Sequence, residues 1–432
     1  MAHKSERIFI GLEEIAGLGA YLVKGFREIG YDSKFYTVVP HPFDYGNEEA
    51  GFWVTSLQKY IQWSSKIHNN FLHRFFWYGK EILLSVFLIY ALLRFDVFIF
   101  LYTHTFLYKQ LDLPILKFFK KKIIMIECGA DVRPNYLDLG LYSDGDLKKI
   151  IGSKNIIGST LWKKEKIVWM EKWVDHFISI RPMSIFHHRP VICSWAVGIP
   201  KVIHTEPCVR NPDHGGVTIL HAPSNPFAKG TPIIRHLIEE LKNENYNINY
   251  IELQGQPNHV VMQTLKECDF VIDQLYSDTP MAGFAAEAAF YGKPALVGGE
   301  YAEYIYDEVP ASLIPPSEYV PIRELKKSAV RLIEDKEYRE CLGKRAKDFV
   351  EKNWNTRIVA EKFIRIIHDD VPTEWMLDTE DLQYLYGAGA PVEKHKDTIR
   401  KIIREYGISA LCVDDKPNIK KAYMKLMDDS EQ

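Results

Sequence analysis

Apolar residues along this chain fall into short strand-length bursts separated by stretches of helical period. A strand is expected over residues 7–12, Arg-Ile-Phe-Ile-Gly-Leu. Glu13-Glu-Ile-Ala-Gly-Leu-Gly19 then turns the chain, apolar positions recur every three or four residues from Leu22 to Ile29, and Gly30 stops that helix. Residues 31–39 alternate back into a strand, so the unit is strand–helix–strand, the building block of a parallel sheet. The same grammar predicts strands over 96–102, 122–127 and 176–180, separated by mostly helical segments.

Turn residues crowd 198–216, ending in Asn211-Pro-Asp-His-Gly-Gly216, and mark a domain boundary. A second α/β unit follows. Its expected strands are 217–222, 248–253, 270–273 and 294–297, with a loop over 223–230, a helix over 231–241 and helices across 325–350. Two such units joined by one linker imply a cleft between them. The expected division is 1–205, 206–370 and a helical tail 371–432, whose Gly387–Pro391 loop and charged helix near 393–405 read as a surface-packed appendage. Ile82–Leu93 is twelve mostly apolar residues closed by Arg94, short of the about 20 that span a bilayer, so a buried or interfacial helix is expected.

Composition narrows the function. Across 432 residues, 54 Lys and Arg against 57 Asp and Glu leave a formal charge of −3, which argues against nucleic acid as a partner. Hydrophobic residues at 47% support globular cores rather than global disorder. The six cysteines form no CxxC pair, and the first ten residues lack an apolar signal core, so a reducing, cytoplasmic setting is expected. Aromatic residues reach 13%, more than an ordinary core requires.

Candidate chemistry gathers at strand ends. In His221-Ala-Pro-Ser-Asn-Pro-Phe-Ala-Lys229-Gly-Thr, a turn-rich loop leads into a helix, whose free N–H groups and positive dipole end favour an anion that Lys229 could neutralise. The GxxxxGK[ST] spacing of a P-loop is absent. Further on, a strand ends at Asp273-Gln274 and a small-residue helix opens near Gly283-Phe284, with Glu287 one turn in, a carboxylate suited to ribose hydroxyls. His104 follows another strand end. His187-His188 read as a surface or hinge pair, with no nearby carboxylate to complete a ligand set.

Together these segments resemble the retaining glycosyltransferases of family 4, which have the GT-B fold of two Rossmann-like domains. In the first half, Gly17 and Gly19 match the glycine-rich loop, and Lys122–Glu127 followed by Cys-Gly-Ala-Asp131-Val-Arg133 is similar to the strand and Gly-X-Asp-X-Arg loop. His221-Ala-Pro-Ser224, Lys229-Gly-Thr and Asp273-Gln-Leu, with Gly283-Phe-Ala-Ala-Glu287, match the second half. The likeness covers about residues 7–370. It departs from the family where Thr279 lies eight positions before Glu287, where Cys128 stands in place of a histidine, and where no basic partner precedes Lys229.

The resemblance implies an α/β, GT-B enzyme that transfers a sugar from a nucleoside diphosphate donor to a glycan or lipid-linked acceptor hydroxyl, with retention. It implies donor binding by Gly17, Gly19, Ser224, Lys229, Gln254, Gly255, Gln274, Gly283, Phe284 and Glu287, and acceptor binding by His104, Asp131 and Arg133. Lys229, Glu287 and Asp131 would serve catalysis, with no metal or other cofactor. Cell-surface polysaccharide or glycoconjugate biosynthesis is the expected setting, with peripheral contact of residues 71–94 at the inner face of the plasma membrane. Other readings are a nucleotide-sugar epimerase or phosphorylase on the same architecture and a silent GT-B protein that binds a glycan or a partner.

Overall fold

The computed structural model describes residues 6–38, 52–65, 70–141, 155–201 and 215–428; the end of the expected strand at Val39, the 205/206 boundary and Cys208 lie outside them. The first half comprises β1 (Ile8–Leu12), α1 (Leu18–Glu28), β2 (Ser33–Thr37), α2 (Phe52–Ser65), α3 (Asn70–Arg94), β3 (Val97–Leu101), α4 (Asp112–Phe118), β4 (Lys122–Ile126), α5 (Asn155–Met170), β5 (His176–Ser179) and β6 (Val191–Cys193). These strands pair in parallel in the order β6-β5-β4-β3-β1-β2. β1 and β3 are buried along their whole length, as strands covered on both faces must be, which explains their continuous apolar runs. α1 begins at Leu18, four residues before its apolar period, because Gly17 adopts the left-handed conformation (φ +83°) and turns the chain into it.

The second half comprises β7 (Val217–His221), α6 (Thr231–Asn243), β8 (Ile248–Glu252), α7 (Asn258–Glu267), β9 (Phe270–Ile272), α8 (Gly283–Phe290), β10 (Ala295–Gly298), β11 (Glu318–Val320), α9 (Leu325–Glu334), α10 (Lys336–Asn353) and α11 (Thr356–Ile367). Its parallel sheet has the order β11-β10-β9-β7-β8. Two Rossmann-like sheets in one α/β chain form the GT-B arrangement. α11 returns to the first half and packs on α1. A Cβ on Gly25 would lie 2.1 Å from the Thr356 carbonyl oxygen, Phe26 meets Phe363 edge-on at 6.0 Å, and the Thr356 hydroxyl donates to Glu28.

Two expectations change. The tail is woven into the first domain: β12 (Met376–Leu377) pairs antiparallel with β6 as a seventh strand, and α12 (Val392–Tyr406) and α13 (Pro417–Asp428) bury Ile399, Ile402, Ile419 and Tyr423. Short apolar runs between charges concealed this core in the sequence. The apolar run at 82–93 is part of a 25-residue helix, of which Phe75–Arg94 is long and apolar enough to cross a membrane. Leu84, Leu88 and Ala91 pack inward, while Phe75, Tyr78, Ile82, Val86, Ile89 and Leu93 stay exposed. Part of the aromatic excess sits beneath this helix, where Phe9 contacts Tyr36, Phe87, Phe95, Phe98, Phe100 and Phe106.

Candidate functional site

Each sheet reverses its strand order once, between β1 and β3 in the first and between β7 and β9 in the second. Loops leaving the carboxyl ends of such strands part there and open a crevice, the usual ligand site of a doubly wound sheet. Both crevices are present, and the loop 13–17 after β1 contributes to each.

The first cavity, about 260 Å³, lies between the halves. Ala222 and Ser224 after β7, Lys229, Gly255, Gly283, Phe284 and Glu287 line it from one side, and Ala16 from the other. Gly230 in the left-handed conformation (φ +73°) ends the loop and caps α6, with Lys229 immediately before it. The Lys229 ammonium donates to Gln274 Oε1 (2.5 Å) and Asp273 Oδ1 (3.2 Å), so Gln274 orients the lysine rather than lining the cavity. α8 has neither a side-chain cap nor an acid in its first turn, and its opening residues Gly283 and Phe284 border the cavity; such an end favours an anion.

Lys201 was not anticipated. Its side chain is 5% exposed, and its ammonium donates to Glu287 Oε1 (2.9 Å) in one half and to the Ala16 carbonyl (3.1 Å) in the other. It places a buried cation behind Glu287 and ties the two walls of the cavity together. Sequence spacing offered no signal for it, because Lys201 lies 28 residues upstream of Lys229, at the end of the Gly198-Ile-Pro200 turn.

Glu14 was also unanticipated. Its Oε1 accepts from the Gly17 N–H (2.7 Å), while Oε2 is buried without a partner among the described residues. Burial pushes this carboxyl up to about 7, against the pull of the Gly17 and Ile15 N–H groups and of Lys201.

The second cavity, about 330 Å³, lies at the crevice of the first sheet. Glu13, Tyr102, His104, Asp131, Lys163 and Lys166 line it. His104 Nδ1 and Glu13 Oε2 are 2.8 Å apart. Asp131 Oδ1 accepts from the N–H groups of Cys128 and Gly129, its Oδ2 has no partner among the described residues, and burial together with nearby Glu127 lifts its carboxyl to about 6. Lys163 and Lys166, one helical turn apart on α5, donate to the carbonyls of Ala130, Arg133 and Asp131, and burial brings Lys163 down to about 8. These ammonium groups hold the Gly-X-Asp-X-Arg loop in place. His104 and Asp131 are thus brought together, next to a loop shared with the first cavity.

Four expectations are corrected. Arg133 does not line the second cavity; it is buried in ion pairs with Asp278 across the domain interface and with Asp138. Gly19 is buried inside α1, where a Cβ would come within 2.4 Å of the Phe35 ring, so its role is close helix–strand packing. Gln254 is exposed and leaves the cavity wall to Gly255 and Gln256. His187 is wholly buried between Glu127 (2.8 Å) and Glu171 (2.9 Å), carboxylates that the fold brings from 60 and 16 residues away. Burial lowers its basicity, but the two carboxylates outweigh this and raise it to about 9. Among the described residues, no group of three or more His, Cys, Asp or Glu side chains is placed to hold a metal.

No protein-family model matches the chain. No curated protein matches it in sequence. Among solved structures, it is similar to Anabaena HepE in complex with UDP and glucose, at 10% identity and a TM-score of 0.44, over 84% of this chain and 100% of that one. It is also similar to the lipopolysaccharide outer core galactosyltransferase WaaB in its apo form, at 12% identity and 0.46, over 84% and 99%. SnogD from Streptomyces nogalater aligns at 12% identity and 0.39, over 84% and 100%.

The Glu14 geometry predicts a pH signature. A carboxyl near 7 in the folded chain and near 4.5 when unfolded keeps its proton more tightly when folded, so it costs stability as pH rises from about 4.5 to 7. Glu14→Gln keeps an acceptor for Gly17 and removes that cost. Thermal midpoints measured from pH 4.5 to 8.5 should give a variant advantage that widens up to about pH 7 and is then constant. A gap that does not change with pH would refute the assignment.

Proposed function

We propose that this chain is a retaining glycosyltransferase that moves a sugar from a nucleoside diphosphate to an acceptor hydroxyl on a glycan or lipid-linked intermediate. The observation that carries the reading is the first cavity, lined by Lys229 and the uncapped start of α8 beside the loop 13–17, with the buried Lys201 bonded to its wall residues Glu287 and Ala16. Lys229 and the α8 amides would hold the diphosphate, Glu287 the ribose, and Gly255 and Gln256 the base. The second cavity, with Asp131 and His104, would receive the acceptor on the far side of that loop.

In the transfer step, the acceptor oxygen attacks the anomeric carbon on the face from which the diphosphate departs. The bond from that carbon to the phosphate oxygen breaks, and the departing phosphate takes the hydroxyl proton. Charge accumulating on the diphosphate is met by Lys229 and by preorganised amides that need no reorganisation. Lys229 must first leave Gln274, an exchange of a neutral acceptor for an anionic one.

Lys229→Ala should lower transfer from a nucleotide-sugar panel by about 100-fold and weaken nucleoside diphosphate binding about tenfold. Full transfer with unchanged donor affinity would overturn the proposal. Tight glycan or partner binding with no turnover across the panel would instead favour the silent binding protein, and product formed without an acceptor the epimerase.

The setting we propose is cytoplasmic, at the inner face of the plasma membrane, in the assembly of a cell-surface polysaccharide or glycoconjugate. The exposed stripe of α3 is joined by Tyr108, on which Trp77 packs at 5.5 Å, and Leu111, Phe118 and Phe119 are exposed as well. Lys80 and Arg94 belong to α3 and Lys117 and Lys120 flank Phe118 and Phe119 in sequence, although Arg94 pairs with Asp32 and Lys117 with Asp175; an apolar face with basic residues near it suits docking at anionic lipid. Phe71, His73 and Arg74, whose side chains lie outside the described residues, belong to the same expectation. The wild type should sediment with phosphatidylglycerol vesicles and Ile89→Gln/Leu93→Gln should not. Equal sedimentation of the two proteins, or none of either, would exclude docking through this face.

A further inference from the structure

The largest of the described cavities, about 500 Å³, belongs to neither crevice just assigned. Its floor is the carboxyl edge of the second sheet, with Tyr276 after β9, Glu300 and Tyr304 after β10, and Arg323 after β11. Its roof is the tail, from Tyr384 to Lys396. Backbone bonds fix that roof: the Gly389 N–H donates to the Tyr276 carbonyl (2.9 Å), and the Ala388 N–H to the Leu137 carbonyl (3.1 Å). The volume falls within the range of about 300–1,000 Å³ typical of small-molecule sites.

The lining defines the chemistry. Tyr276, Tyr304 and Tyr386 are half-buried, and their hydroxyls make no hydrogen bond among the described residues, whereas the Tyr384 hydroxyl is committed to the Gly387 carbonyl. Glu300 and Glu303 face Arg323, and Glu393 pairs with Lys396 (2.8 Å), so each charge has an opposite neighbour. With three carboxylates against two cations, an anion would be repelled. Free phenol hydroxyls, aromatic faces and paired carboxylates with spare lone pairs suit a neutral ligand that is rich in hydroxyls and has apolar C–H faces.

We propose that this cavity binds a neutral oligosaccharide, at a site separate from the transfer cleft. The loop 273–278 adjoins both: Asp273 and Gln274 hold Lys229, which lines the first cavity, and Tyr276 lines the glycan cavity. The proposal goes beyond glycosyl transfer and stands even if no transfer occurs, because it requires only binding.

The test is calorimetric titration of the full chain with maltohexaose, cellohexaose and chitohexaose. At least one should bind, with affinity falling about tenfold or more in Tyr304→Ala and in Tyr386→Ala but unaltered in Lys229→Ala and in excess UDP. Tyr386→Phe, which keeps the ring, should bind more tightly than Tyr386→Ala, and thermal midpoints near wild type would confirm that the variants fold. No binding up to about 10 mM would overturn the proposal, as would affinity indifferent to both tyrosines or lost in Lys229→Ala.

Discussion

Lys201 ties together the two walls of the first cavity. One almost fully buried ammonium is shared between Glu287 on α8 and the Ala16 carbonyl in the loop after β1, so the position of each wall is tied to the other. A buried charge is costly unless it is well paired, and removing one partner leaves the other stranded. The arrangement is therefore close to all-or-none: with Lys201 in place, Gly283 at the start of α8 stands opposite Ala16, its Cβ position 3.9 Å from that of Ala16. A second buried pair, Arg133 with Asp278, joins the domains where the Gly-X-Asp-X-Arg loop of the first half meets the β9 loop of the second. The tail roof at residues 388–389 adds a third tie through Leu137 and Tyr276.

These ties leave the first cavity with little net charge. Lys229 faces Asp273, and Lys201 faces Glu287, so neither cation is idle. Under the proposed function, what this cavity would offer a diphosphate is the end of α8, whose field is fixed in the fold, together with a lysine that can exchange a neutral amide for phosphate. The carboxyls of Glu14 and Asp131, both raised by burial, lie in the loops bordering the two cavities and tie the electrostatics of the site to its seclusion from water.

Local signals made much of this legible in the sequence. Short apolar runs at β1, β3 and β4 pointed to strands of a parallel sheet, and glycines at 30 and 230 marked helix boundaries that left-handed residues enforce. The surroundings of Lys229, Gly283 and Glu287 were readable because each closes a strand or opens a helix. Contacts between distant segments were not readable. Lys201 meets Glu287 from 86 residues away, Arg133 meets Asp278 from 145, and Tyr136 donates to the Leu411 carbonyl from 275. Arg133 matched a motif and yet spends its charge on the domain interface, and Gly19 matched a glycine loop and yet serves packing. A spacing pattern specifies which residue stands at a position, while the fold decides what it touches.

The central claim is that the start of α8, opposite the loop 13–17, receives a nucleoside diphosphate. Amide hydrogen exchange, followed residue by residue with UDP, ADP and GDP added in turn, tests it most directly. For the nucleotide that binds, exchange should slow at Gly283, Phe284 and Ala285 and across 223–230, with little change across 384–396. Binding that leaves the amides of 283–285 exchanging as before, or protection confined to another part of the chain, would contradict the account.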